Sequence, residues 1–405
     1  MADLHLGSPF RGLHVREPDA ARRFAQAIRD TFTDLVSRAV EAQVDFVVIA
    51  GDVYDGQWKD ASVGLFFNRE MARLDRAGIP VFLVKGNHDA ASVVTRSVSL
   101  PKSVRTFGVS RATTVKLPHL SVALHGQSYK ERETVENLAQ SYPDAVPGHF
   151  NIGVLHTSLA GSAEHATYAP CSEADLLARG YDYWALGHIH VPQVVRERPP
   201  IVYSGCIQGR SVRETGAHGA MLVRVRSGEP SLEPWIADRA RWAVASVDAG
   251  GLEDAAAFGD AVARAAGEAV ADAGDRPIAL RVRVHGRTAL HPWLHGGGED
   301  VRDAVEAACA HASAETWLEK VVVDTAPLAA APSMVPDLEE AATMLSLLDA
   351  ANDAALHPAL QADRTALLAK LPGGASDAAG DDAFDASAVL ADARALLGAR
   401  LGGEG

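Results

Sequence analysis

Apolar positions in the first half of the chain alternate between two rhythms. Residues 20 to 42 repeat Phe24, Ile28, Leu35, Ala39 and Val40 at helical spacing, with Arg22, Arg29 and Arg38 off that face, and so predict a helix. The apolar run Phe46-Val47-Val48-Ile49-Ala50 predicts a buried strand that ends in Gly51-Asp52. A second helix, about 62 to 77, leads into the strand Pro80-Val81-Phe82-Leu83-Val84, which ends in Gly86-Asn87-His88-Asp89. Strand, helix, strand implies parallel pairing through right-handed crossovers. Beyond residue 115 the helices thin out. Short strands at Val122-Ala123-Leu124, Ile152-Gly153-Val154-Leu155 and Tyr183-Trp184-Ala185-Leu186 are each followed by a histidine or Gly-His. Ile201-Val202-Tyr203 and Met221 to Val225 continue the sheet.

The turn-rich stretch from Arg226 to Pro234 predicts a domain boundary. It divides the chain into a catalytic domain, 1–228, and a smaller α/β capping domain, 229–326. The second contains a helix near 253–271, a strand at 278–284, a helix near 299–312 and a strand at Val321-Val322-Val323. Pro327, Pro332 and Pro336 mark a linker. The remainder, 327–405, reads as a helical tail carrying Leu338, Leu345, Leu348, Leu367, Leu368, Leu390, Leu397 and Leu401.

With 405 residues, 47% hydrophobic and 22% charged, the composition is that of a soluble globular protein with two or three domains. No apolar run is long enough to span a bilayer, and the first residues lack the pattern of a signal peptide, so no membrane role is expected. Three cysteines without metal-finger or disulfide spacing point to a reduced, cytoplasmic setting. A net charge of −14 argues against attraction of nucleic acid by the whole surface. Charge is unevenly spread, however. Residues 90 to 129 hold Arg96, Lys102, Arg105, Arg111 and Lys116 and no acidic residue, and Arg196, Arg198, Arg210 and Arg213 form a second basic group.

The strand ends collect the chemistry. In order they give Asp3-Leu4-His5, Gly51-Asp52, Asn87-His88, His156 and His188-Ile189-His190. In extended backbone, residues two apart face the same side, so Asp3 with His5, and His188 with His190, can each address one point. Oxygen donors mixed with imidazoles suit manganese, iron or zinc rather than calcium. One ion does not need seven ligands. Two ions about 4 Å apart, bridged by Asp52 after the most buried strand, would use them all.

This order of motifs resembles the calcineurin-like metallophosphoesterases. Leu155-His156-Thr157-Ser158, Tyr168-Ala169-Pro170-Cys171 and Gly205-Cys206-Ile207-Gln208-Gly209-Arg210 are similar to the YhaO-type branch of bacterial DNA-repair exonucleases, related to the SbcD nuclease subunit. The resemblance implies a four-layer α/β sandwich, two mixed sheets flanked by helices. It implies one manganese on Asp3, His5, Asp52 and His190 and a second on Asp52, Asn87, His156 and His188. His88 would protonate the leaving group and Asp89 would orient His88. Apart from the resemblance, Gln208, Arg210 and Arg213 on the loop after Ser204-Gly205 read either as phosphate contacts or as an ordinary surface loop, and His165 and Tyr168 either as a border of the site or as structural residues.

Two departures stand out. Asp55 occupies the position where some relatives have a histidine. Only Met1 and Ala2 precede Asp3, where the family has a full strand, so a weakened first metal site and an incomplete sheet edge are expected. The function implied is a two-metal DNA exonuclease or endonuclease in repair. Its partners would be DNA and an SMC-like coiled-coil ABC ATPase docking on the helical tail. The family often forms homodimers, although no apolar stripe here demands one. Two alternatives stay open: a phosphodiesterase or phosphatase acting on nucleotides or other phosphoesters, and a non-catalytic DNA-end binding subunit.

Overall fold

The structure, a computed structural model, describes residues 1–8, 18–55, 61–91, 99–159 and 168–328. His14, Trp58, Arg96, His165 and the helical tail expected after residue 328 lie outside the described residues. The chain divides into two units, 1–243 with 275–278, and 244–274 with the residues from 279 onward.

In the first unit the opening elements are α1 (Pro18–Glu41), β1 (Val47–Ala50), α2 (Ala61–Arg76), β2 (Val81–Val84), α3 (Asn87–Ala91) and β3 (Val104–Thr106). The three strands form a parallel sheet in the order β1-β2-β3, with Val47 opposite Val81 and Ala50 opposite Val84. α1 and α2 pack through Phe32, whose ring stacks on Phe67 with centroids 5.8 Å apart. The other edge of β1 and the loop beyond it is lined by residues 1 to 6. Ala50 N donates to Met1 O, Asp3 N to Gly51 O and His5 N to Asp52 O, and the Met1 ammonium donates to Val48 O. Beyond this short pairing lies a cavity of about 530 Å³ bordered by Phe46, Val48, Val122, Ile152 and Met221.

A second sheet follows: β4 (Thr113–Leu117), β5 (Val122–Gly126), β6 (Phe150–His156), α4 (Glu173–Leu177), β7 (Tyr183–Gly187), β8 (Gln193–Glu197) and β9 (Pro200–Tyr203). Its order is β4-β5-β6-β7-β9-β8, parallel in the middle and antiparallel at both edges. The central strands read as nearly continuous apolar runs because both of their faces are buried. Val154 and Tyr183 join Ala50, Phe82 and Val84 of the first sheet in one core. Leu155, Trp184 and Leu186 face the opposite way and pack with Tyr142, Leu176 and Tyr181. The sheets are thus flanked by helices in a metallophosphoesterase-like α/β architecture.

The hairpin β10 (Gly219–Arg226) and β11 (Glu229–Ile236) closes the unit. The boundary expected at 228/229 falls in the tight turn of this hairpin. Gly228, at φ 83°, reverses the chain there without ending the unit, and the division comes at Ala243/Val244. The second unit contains α5 (Ala255–Ala273), α6 (His291–Gly296) and α7 (Gly298–Ala312) with most of the sheet β12 (Arg241–Asp248), β13 (Ile278–Thr288) and β14 (Thr316–Pro327), the first residues of β12 and β13 being counted in the first unit. Its core includes Phe258, Val262, Val282 and Val305. Cys171 and Cys206 in the first unit and Cys309 in the second are free and buried.

Candidate metal centre

Five chain segments meet at the carboxyl ends of β1, β2, β6 and β7. Asp3 and His5 come from the opening segment, Asp52 follows β1, Asn87 and His88 follow β2, His156 ends β6, and His188 and His190 follow β7. Asp3, His5, Asp52, Asn87 and His156 are buried. The expected extended geometry is not what brings the pairs together. Asp3, His5, Asp52 and His188 all have positive φ, at 50°, 43°, 51° and 102°. Non-glycine residues in that region carry strain, which clusters at functional sites. Close packing explains the neighbouring glycines. A Cβ on Gly86 would lie 2.3 Å from Asp52 Oδ1, and one on Gly187 would lie 2.0 Å from the Ala50 carbonyl oxygen.

The donors converge. His5 Nε2 lies 3.2 Å from His190 Nε2 and 3.8 Å from Asp52 Oδ2, and His190 Nε2 lies 3.8 Å from Asp3 Oδ1. Across Asp52, His156 Nε2 lies 3.4 Å from Oδ2 and 2.9 Å from Asn87 Oδ1. The His188 ring packs edge-on to His156 and Tyr168, with centroids 5.3 and 5.4 Å away. Tyr168 therefore borders the site.

Backbone contacts fix the carboxylates: His188 N donates to Asp3, and His88 N donates to Asp52 Oδ1. His156 Nδ1 donates to Ala50 O, which turns the Nε2 lone pair toward Asp52 and Asn87. Similarly, His190 Nδ1 donates to Glu214 Oε1 at 2.6 Å, which leaves its Nε2 for the cluster. Lone pairs facing carboxylates and one another at these distances fit a bound cation. Two of the groups compact enough to hold one are Asp3, His5 and His190, and Asp3, Asp52 and His156.

The charge balance agrees. Burial and the nearby Arg210 charge push His5 down to about 3, so its ring is neutral. Burial alone would lower His156 as well, yet Asp52 carries it up to about 9. Carboxylates that recruit a proton onto a buried imidazole mark a site that asks for positive charge.

Asp89 does not have the role expected of it. Adjacent residues at the start of a helix point in different directions, and α3 aims Asp89 inward. Its carboxylate accepts from the backbone N–H groups of Val53, Tyr54 and Gly86, tying the loops after β1 and β2 together. Burial, with Asp52 nearby, pushes it up to about 6. The carboxylate beside His88 is Asp55, whose Oδ1 lies 2.9 Å from His88 Nδ1. Burial opposes the charged His88 ring, but this contact and the Asp52 charge outweigh it and raise the imidazole above its ordinary value.

Arg210 is likewise engaged within the protein. It donates to Glu214 at 2.8 Å and lies 3.4 Å from Asp55 Oδ2. Gln208 is buried, accepting from Thr31 Oγ1 and Arg239 N and donating to Ala240 O, and so is not placed to meet phosphate. Arg213 is exposed. Sequence reasoning missed Glu214. Its signal was an acid within a basic loop, four residues after Arg210.

Residues 1–192 match the calcineurin-like phosphoesterase family, and residues 242–326 match the middle domain of metallophosphoesterase YhaO. The chain is 37% identical over 255 residues to an uncharacterized metallophosphoesterase YhaO of Bacillus subtilis, covering 61% of this chain and 62% of the relative. It is 24% identical over 209 residues to the DNA double-strand break repair protein Mre11 of Methanopyrus kandleri, covering 47% of this chain and 44% of that protein. Against Mre11 of Sulfurisphaera tokodaii it is 27% identical over 200 residues, covering 48% and 49%. The chain thus spans between 44% and 62% of the length of these relatives. Motif order, the convergence of histidines and carboxylates at strand ends and these matches lead to one assignment: the chain carries a calcineurin-like metallophosphoesterase domain followed by a YhaO-type middle domain.

Proposed function

We propose that the first unit is a two-metal phosphodiesterase that cuts DNA. The observation that carries this reading is the convergence of imidazoles on both sides of the buried carboxylate Asp52, His5 on one and His156 on the other. Asp3, His5, Asp52 and His190 would hold one cation, and Asp52, Asn87, His156 and His188 the other. Manganese is the expected ion, and the same donors accept iron or zinc. Such ions, when bound, neutralise phosphodiester charge and lower the pKa of a water. His88, half-exposed at the rim with its Nδ1 held by Asp55, donates a proton to the leaving oxygen from its other nitrogen. Asp89 keeps the two loops in register.

Lys102, Arg105, Arg111 and Lys116 are exposed and offer contacts to a phosphate backbone, as does Arg213. Relatives named for double-strand break repair support DNA as the substrate. Docking of an SMC-like ATPase on the residues after 336, and homodimer formation, belong to the same reading.

The test is manganese-dependent cleavage of linear duplex DNA, single-stranded DNA, bis(4-nitrophenyl) phosphate and 4-nitrophenyl phosphate. Wild type should cleave the diesters. Asp52→Ala should abolish cleavage, and His88→Ala should lower it about 10²–10⁴-fold, both variants remaining folded. Activity persisting in Asp52→Ala rejects the reading. Cleavage of the monoester alone moves the function to a phosphatase, and metal-independent DNA binding without hydrolysis moves it to a DNA-end binding subunit.

A further inference from the structure

The second unit carries a pair of imidazoles that the proposed metal centre does not use. α6 opens at His291, and Pro292 fits its first turn because an N–H there would have no helical partner. Residues four apart share one face of a helix, so His291 and His295 lie side by side, with ring centroids 4.3 Å apart. The residues between them anchor the helix. Leu294 is buried, and the Trp293 ring stands edge-on to Phe258 with centroids 5.4 Å apart. Both histidines remain half-buried, open to solvent on one side.

The two rings aim at one point. His291 Nδ1 lies 3.0 Å and His295 Nε2 lies 3.3 Å from Thr325 Oγ1 on β14. A hydroxyl has a single proton, so it donates to one imidazole and accepts from the other. Burial, and then the neighbouring His295 ring, hold His291 below its ordinary value, which favours a neutral ring with a lone pair to offer. Two imidazoles four residues apart on a helix are the spacing with which helices present nitrogen to zinc. An ion about 2.0–2.1 Å from each nitrogen requires only that the hydroxyl turn aside.

We propose that His291 and His295, with the Thr325 hydroxyl beside them, form a separate site for a late first-row divalent cation: copper(II), nickel or zinc. Its chemistry differs from that of the first unit. Among the described residues no carboxylate or thiol joins these histidines in a group of three, so the donors are two nitrogens and a hydroxyl, completed by water. Affinity for nitrogen donors rises from manganese to copper, and with no carboxylate to favour the harder ion manganese is passed over. A bound ion would hold the two imidazoles in one orientation and fix the turn of α6 beside β14. None of this depends on the phosphodiesterase reading.

The full chain is compared as wild type, His291→Ala, His295→Gln and Trp293→Phe, with folding checked by circular dichroism. Copper(II) retained after dialysis is counted, and its quenching of tryptophan emission is recorded. Copper also reaches the donors of the first unit, so the readout is the difference between chains. His291→Ala and His295→Gln should each retain one ion fewer than wild type. His295→Gln keeps a side chain able to hydrogen-bond Thr325, and so decides the matter even where His291→Ala does not fold. Trp293 lies between the two histidines in the turn. Trp293→Phe should therefore keep the wild-type count and lose the same part of the quenching that His295→Gln loses. Manganese at the same concentration should be retained equally by wild type and His295→Gln. A folded His295→Gln chain with the wild-type copper count overturns the proposal and leaves the pair as an ordinary hydrogen-bonded contact. So does quenching that is identical with and without Trp293, since the ion then sits elsewhere. Manganese retention that falls in His295→Gln overturns the preference for nitrogen-seeking ions.

Discussion

At the scale of single residues, the site depends on how closely its loops approach one another. Gly187 ends β7 with its α-carbon against the Ala50 carbonyl, leaving no room for a methyl group. In Gly187→Ala that contact must open, and the first residue to move is His188, which follows directly and is held by Asp3. Displacements of about 1 Å in such constellations cost about 10²-fold in rate. Gly187→Ala should therefore lose about that much diesterase activity while keeping its far-ultraviolet dichroism. Full activity would show that the loop absorbs the strain.

The same scale shows what the sequence could and could not disclose. Asp52, Asn87, His156, His188 and His190 could be proposed as ligands because each comes at or just after the end of an apolar run, and a buried strand leaves few places for its end to go; Asp3 and His5 had no such run before them and rested on the motif alone. The partner of His88 was not legible. Asp89 is its neighbour in the chain, but helical geometry separates adjacent side chains, while Asp55 reaches His88 from another loop. Nor could any local pattern disclose the positive φ at Asp3, His5 and Asp52, which arises from loops packed against one another.

At the scale of elements, β6 and β7 pack both faces, and the face away from the first sheet holds the largest ring of that core. Trp184 is fully buried, stacked on Tyr181 with centroids 5.0 Å apart, and Gly153 on the adjacent strand is bare because a Cβ there would lie 2.3 Å from the Trp184 ring. Strand, ring and glycine form one interlocked layer. Trp184→Ala should destabilise the protein by about 3–5 kcal/mol, measured as a lower urea midpoint. A shift below about 1 kcal/mol would mean that the layer collapses into the space. The long helices and the central apolar strands were readable from pattern in both units, but the edge strands β4 and β8, the hairpin strand β11 and β12 were not. The boundary was not, because a Ser-Gly turn looks the same whether it joins two strands or two domains.

At the scale of the whole molecule, the proposed manganese site lies within the first unit, drawing its donors from residues 3 to 190. A ligand that binds only the folded form adds stability in proportion to the logarithm of its concentration, about 2.7 kcal/mol at a hundredfold excess over Kd. Manganese should therefore raise the unfolding transition of the first unit and leave that of the second unchanged. A single melting temperature would blur the two.

The buried thiols separate them. Burial pushes Cys171 and Cys309 up to about 11 and raises Cys206 well above its ordinary range, so none presents a thiolate to reagents while the fold is closed. Alkylation must wait for opening. Cys171 and Cys206 keep time for one unit and Cys309 for the other, so the chain carries two built-in clocks, of which manganese should slow only the first.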